Sequence, residues 1–167
     1  MSRCLLTIAT LVLLWALVGQ ANHYLAPLQV SLFLGGLFVT FAALRLPARA
    51  GLWAVAFAGL LHDVVTPLPF GTQMMLFAAA CLAIQSVRDR IPHETVFVQI
   101  IVALLANLIL FTAFSLLRAG AVGVTVWTRL GLDLICSQGV LLAVSPWFFA
   151  LQARAIQLSR PAFSAFD

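Results

Sequence analysis

Six long apolar runs, separated by short breaks that carry polar residues, proline or glycine, are the feature that most limits how this chain can fold. An α-helix needs about 20 apolar residues to cross the hydrocarbon core of a membrane. Backbone N–H and C=O groups find no water there, so each run must satisfy its own hydrogen bonds as a helix. The sequence therefore predicts an all-α integral membrane protein with about six transmembrane helices in one compact bundle. The helices are expected near residues 5–20, 28–44, 48–66, 71–87, 95–117 and 130–151.

The composition excludes an ordinary soluble domain. Of the 167 residues, 63% are hydrophobic and 8% are charged, whereas about a quarter of a soluble domain is charged. We expect residues 1–167 to form a single polytopic membrane domain. All nine basic residues are arginines, placed singly or in pairs. Nucleic-acid-binding proteins cluster their basic residues, so membrane lipids are the expected partner and nucleic acid is not.

The arginines also predict the orientation of the bundle. Positively charged residues near helix ends stay on the cytoplasmic side of a membrane. With the N-terminus inside and six crossings, seven arginines are cytoplasmic and only Arg118 and Arg129 lie outside. Both termini are then expected in the cytoplasm, and the segment containing Pro69 faces outward.

One carboxylate, Asp63, stands at the end of the third apolar run, within the segment GLLHDVVTPLPFG at residues 59–71. A charged side chain at the membrane centre costs about 2.5 to 3.5 kcal/mol, and less near the interface. Gly59 and Asp63 share one helix face, which lets a neighbouring helix approach closely. Pro69 and Gly71 favour a rigid turn, and Asp63 can accept hydrogen bonds from the free N–H groups of that turn. The alternatives are a water-exposed acid without a special role and a direct ligand or proton-transfer group.

Other polar residues are expected at the same outer level. Asp63 has His62, Arg118 and Arg129 as candidate partners, and Asp133 lies four residues after Arg129 on one helix. Two aspartates could share a proton, as in an aspartyl dyad. However, the motifs of intramembrane aspartyl proteases, lipoprotein signal peptidases, serine hydrolases and zinc proteases are absent. We expect no enzymatic activity, cofactor or metal.

A narrow polar and small stripe runs along the fifth helix at steps of four residues: Gln99, Ala103 and Asn107. Amide side chains at such positions hydrogen-bond neighbouring transmembrane helices. The stripe is therefore interpreted as internal packing, or as a surface on which a single-pass partner docks. The apolar, glycine-containing break at residues 119–128 is a second place where a partner could dock.

The pattern G-L-L-x-D, followed after five residues by P-x-G, resembles the signature of the rod shape-determining protein MreD family. It is carried by Gly59, Leu60, Leu61, Asp63, Pro69 and Gly71, and the resemblance extends over residues 27–90. It implies a non-enzymatic scaffold of the elongation (rod) complex in the bacterial cytoplasmic (inner) membrane. Such a scaffold binds MreC, and couples MreB to peptidoglycan synthesis by RodA and its transpeptidase partner.

The resemblance also implies a fold like that of the S components of energy-coupling-factor transporters. This keeps a second interpretation open, because size and architecture suit both classes. The alternative function is that of a substrate-binding S component of a small-molecule, vitamin-type transporter.

Overall fold

The computed structural model describes residues 2–66, 69–90, 95–118 and 124–158. Within these ranges the chain forms six α-helices and no strand, which confirms the predicted all-α membrane fold. Two 3₁₀ turns, Ala26–Leu28 and Arg88–Arg90, follow the first and fourth helices. The helices are α1 (Ser2–Leu25), α2 (Gly35–Arg45), α3 (Ala48–Val65), α4 (Thr72–Val87), α5 (Val96–Arg118) and α6 (Val124–Leu158).

Four helical segments of the described chain are long and apolar enough to span a membrane: Ile8–Leu28, Ala48–Val65, Val96–Leu117 and Thr128–Arg154. Of the six predicted transmembrane helices, α2 and α4 are shorter than these four segments. Helix α2 has 11 residues, or about 17 Å at 1.5 Å per residue, against a hydrocarbon thickness of about 30 Å. Helix α4 has 16 residues, or about 24 Å.

The helix boundaries agree best with the sequence around the α3–α4 connection. Helices α3, α4 and α5 begin and end within one residue of the predicted limits. Helices α1 and α6 are longer than predicted because both continue through polar residues at the ends of their apolar runs. Pro146 lies inside α6, and the helix continues beyond it to Leu158.

The prediction of a helix over residues 28–44 is wrong in its first part, because α2 begins only at Gly35. Gln29 has a left-handed backbone with φ of 55°, and residues 30–34 are not helical. Non-helical backbone at membrane depth is tolerated where protein satisfies its polar groups. Asn22 of α1 does so for Leu32: its Oδ1 accepts from the Leu32 N–H at 2.6 Å and its Nδ2 donates to the Leu32 carbonyl at 3.0 Å.

Helix α6 provides hydrogen-bond acceptors for the residues on either side of Leu32. The Asp133 carboxylate accepts from the N–H and from the hydroxyl of Ser31, both at 2.9 Å. The Ser137 hydroxyl accepts from the Phe33 N–H at 3.0 Å. The non-helical segment at residues 29–34 is thus held between α1 and α6. Together with α2, which follows it, it forms a composite second element.

The core of the bundle is built around α2, whose residues from Gly35 to Leu44 are all buried. Its Phe38 and Phe41 side chains are buried together with Phe77 of α4. Many large apolar side chains point away from this core, among them Trp53 and Trp147, which are 75% and 80% exposed. An apolar outer surface of this kind matches a bundle immersed in lipid.

Candidate functional site

Asp63 joins the end of α3 to the beginning of α4. The Asp63 carboxylate is buried, with 4% of the residue exposed. Its Oδ1 accepts from the Gln73 N–H at 2.8 Å, and its Oδ2 accepts from the N–H groups of Gly71 and Met74 at 3.0 and 3.2 Å. The first N–H groups of a helix have no partner within it, and they favour a negative charge. The predicted hydrogen bonding of Asp63 to the turn is confirmed.

The turn that leads into α4 is shaped by Pro69, Gly71 and Thr72. Gly71 has φ of 95°, a backbone conformation that side chains with a Cβ rarely adopt. The Pro69 carbonyl accepts from the N–H and the hydroxyl of Thr72, at 3.2 and 2.6 Å. We refer to Asp63 and residues 69–74 together as the α3–α4 junction. Pro67, which the sequence also places in this turn, lies outside the described residues.

Gly59 lets the two helices approach one turn before the carboxylate. A Cβ atom at Gly59 would lie 2.5 Å from the Met74 Cα and 2.8 Å from its backbone nitrogen. No side chain fits in that space. Gly59 and Asp63 thus act on the same short stretch of α4, the first by allowing contact and the second by hydrogen bonding.

The ionic partners suggested by the sequence are not the ones that Asp63 and Asp133 have. Asp63 is bonded to the α4 backbone and Asp133 to Ser31, and no ion pair between Arg129 and Asp133 is found among the described side chains. The two carboxylates bind different segments, and no described hydrogen bond joins them as a dyad. The side chain of Arg118 lies outside the described residues.

The His62 ring lies within an aromatic cluster. Its ring centroid lies 5.3 Å from that of Phe38, 5.4 Å from that of Phe77 and 6.0 Å from that of Phe33. The residue is 8% exposed, and its buried Nε2 atom has no hydrogen-bond partner. The Nε2 atom of His62 is therefore an unpaired polar atom among aromatic side chains.

The stripe on α5 is buried inside the chain. Gln99, Ala103 and Asn107 are at most 1% exposed. Asn107 Oδ1 accepts from the Gly36 N–H at 3.0 Å, and a Cβ at Gly36 would lie 2.6 Å from the Asn107 backbone nitrogen. The stripe therefore packs against α2, and it offers no surface to a separate helix in this conformation. The break at residues 119–128 lies partly outside the described residues, and α6 already begins at Val124.

A cavity of about 360 Å³ lies beside the α3–α4 junction, among α1, the segment before α2, and α5. His62 and Gln73 are two of its lining residues. Gln73 is fully buried, and neither its Oε1 nor its Nε2 has a hydrogen-bond partner. Gln73 was not predictable as a site residue, because a single glutamine in an apolar helix carries no motif.

Asp133 was a candidate polar residue from the sequence, but its contact with Ser31 and the role of Ser137 were not predicted. Asp133 and Ser137 are four residues apart and therefore share one face of α6, which was the available signal. Asn22 was visible only as a polar residue at the end of an apolar run. Within the described part of the chain, no group of three or more histidine, cysteine or acidic residues could hold a metal ion.

Comparison with known proteins gives one family. The family model described as rod shape-determining protein MreD matches residues 2–154. This match extends from α1 into α6, well beyond residues 27–90. No curated protein and no solved structure matches the chain.

Proposed function

We propose that this chain, which belongs to the family of rod shape-determining protein MreD, is a non-enzymatic membrane scaffold of the complex that elongates the bacterial cell wall. In this proposal it binds the membrane-anchored MreC. Through MreC it helps couple MreB to RodA and its transpeptidase partner. Membership of the family itself gives a role in determining rod shape, and the apolar helices make the chain an integral membrane protein.

The scaffold role is supported by the hydrogen bonds of two acids, the buried Asp63 and the partly buried Asp133. Asp63 holds the first N–H groups of α4, and Asp133 holds Ser31. Acid–base chemistry at either carboxylate would have to break these hydrogen bonds. Groups that fix the ends of helices give a rigid arrangement of helices, which suits binding to other membrane proteins.

The proposed location is the bacterial cytoplasmic membrane, with several crossings and both termini in the cytoplasm. Support comes from the arginines at the bundle end opposite Asp63. Arg45 ends α2, Arg49 lies in the first turn of α3, and Arg88 follows α4. Arg88 donates to the Leu46 carbonyl at 3.0 Å, which brings these helix ends together. A basic end of this kind faces the cytoplasm.

The proposal is tested by affinity purification of the tagged protein from native membranes, with an unrelated tagged multi-pass protein as control. We expect MreC to be recovered with this chain and not with the control. Cells that lack the protein should become round and regain rod shape when it is supplied again. Rod-shaped cells without the protein, or purification without MreC, would contradict the proposal.

The cavity beside His62 and Gln73 is the observation that favours the second function, a substrate-binding subunit of a vitamin-type transporter. The same purification separates the two functions. A substrate-binding transporter subunit should be recovered with a pair of ATPases and a bound small molecule. A scaffold should be recovered with MreC and without ATPases.

A further inference from the structure

We infer that the cavity beside the α3–α4 junction binds a neutral, largely apolar molecule whose head carries both a hydrogen-bond donor and an acceptor, as a carboxamide does. This inference rests on the cavity and its lining residues, and not on the scaffold function. Absence of MreC from a purification would leave it intact.

The first observation is the unpaired amide of Gln73. A buried amide normally has partners for both its oxygen and its nitrogen, because leaving them unpaired costs free energy. Gln73 is fully buried at the cavity wall, yet both side-chain atoms lack a partner. Its backbone cannot move away, since the Gln73 N–H is bonded to Asp63 at 2.8 Å. An acceptor and a donor on one ligand would satisfy this amide.

The second observation is His62, which lines the same cavity from α3. Its Nε2 atom is also buried and unpaired. Two unpaired polar side chains from different helices thus meet at one cavity. Asn22 and Ser31 line it as well, but their polar atoms hold the segment before α2.

The remaining wall determines the rest of the ligand. Trp15 and Val18 of α1, Phe33, and Phe111 and Phe114 of α5 make it apolar and largely aromatic. No arginine, aspartate or glutamate is among the described lining residues. A charged ligand would lose its hydration without gaining a counter-charge. The ligand is therefore neutral.

The size of the cavity suits a small molecule. Its volume of about 360 Å³ falls within the range of ligand sites, about 300 to 1,000 Å³. Gly19 lines the cavity and is exposed, and a Cβ there would meet no atom within 4 Å. The cavity can therefore be partly filled from Gly19 without disturbing the packed core.

The test uses Trp15 as a reporter, in full-length protein whose other tryptophans, Trp53, Trp127 and Trp147, are replaced by phenylalanine. The protein is placed in lipid nanodiscs and titrated with decanamide, nicotinamide and decanoate. Decanamide represents a lipid-derived amide and nicotinamide a free small amide, whereas decanoate is the charged counterpart. We expect a saturable change of Trp15 fluorescence with one or both amides and none with decanoate.

Two pairs of variants locate the binding. Gly19→Leu should abolish the saturable change, whereas Gly139→Leu, at another exposed glycine with open space around it, should leave it unchanged. Gln73→Leu should weaken binding about ten-fold, as expected for lost hydrogen bonds. Gln152→Leu removes a buried, unpaired glutamine outside the cavity lining and should have no effect.

Several results would overturn the inference. One is no saturable change with either amide, and another is an equal response to decanoate. A third is binding that Gly19→Leu leaves intact. Because Gly19 is exposed, its variant remains informative even if Gln73→Leu fails to fold. Saturation by decanamide alone assigns the source of the ligand to lipid, and saturation by nicotinamide alone assigns it to a free molecule.

Discussion

The Asp63 carboxylate and the Gln73 backbone N–H form a buried hydrogen bond of 2.8 Å across ten residues of the chain. The bond connects two properties of the molecule. On one side, it fixes the start of α4 against the end of α3. On the other, it holds the Gln73 side chain at the wall of the cavity. A change at Asp63 should therefore affect both the stability of the bundle and the geometry of the cavity.

Replacement of Asp63 by alanine should destabilise the protein by roughly 3 kcal/mol or more, because three N–H groups lose an acceptor that carries charge. Asp63→Asn should cost less, since one acceptor oxygen remains. Thermal unfolding in detergent measures both. The control is Asp89→Ala, at an exposed acid near the end of α4. An Asp63→Ala protein as stable as this control would contradict the role given to the carboxylate.

Gly59→Ala should destabilise the α3–α4 contact by about 1 to 3 kcal/mol, as overpacking does. The added methyl group would overlap the backbone of Met74. Gly139→Ala is the matched control, because a Cβ there meets no atom within 4 Å. Equal unfolding temperatures for the two variants would show that the helices are not in contact at Gly59.

Gly71→Ala tests the backbone of the turn separately from its packing. A Cβ at Gly71 has open space, but φ of 95° is strained for alanine. We expect a loss of about 1 to 2 kcal/mol from this strain. Gly71→Asn should cost less, because asparagine tolerates positive φ better. If alanine, asparagine and glycine proteins unfolded at the same temperature, the turn would have another conformation.

Asp133→Ala should destabilise the protein by about 1.5 to 3 kcal/mol, because the carboxylate holds both Ser31 groups. Arg129→Ala should change stability by less than about 0.5 kcal/mol. An ion pair between the two residues would instead make both substitutions costly. Unfolding temperatures of the two single variants and the double variant distinguish these cases, since an ion pair gives non-additive effects.

The sequence was sufficient to predict α3, α4, α5 and the hydrogen bonding of Asp63, because these depend on local signals. A glycine, an acid and a turn with proline and glycine lie within 13 residues of one another. The composite second element was not predictable in this way. Residues 29–34 read as part of an apolar run, whereas their hydrogen-bond partners Asn22, Asp133 and Ser137 lie on α1 and α6.

The cavity shows a second limit of sequence analysis. Gln73 and His62 lie 11 residues apart on different helices, and neither belongs to a motif of its own. What makes them a candidate site is the absence of protein partners for their polar atoms. That property exists only once the chain has folded, since it depends on which side chains surround each atom.

The most direct test of the account is the amount of MreC recovered per molecule of tagged protein purified from native membranes. Wild type, Asp63→Ala and Asp89→Ala are compared at equal amounts of purified protein. The account predicts equal recovery for wild type and Asp89→Ala, and a marked loss for Asp63→Ala, because a loosened α3–α4 junction would disturb the arrangement of helices to which MreC is proposed to bind. Undiminished recovery of MreC with Asp63→Ala would contradict it.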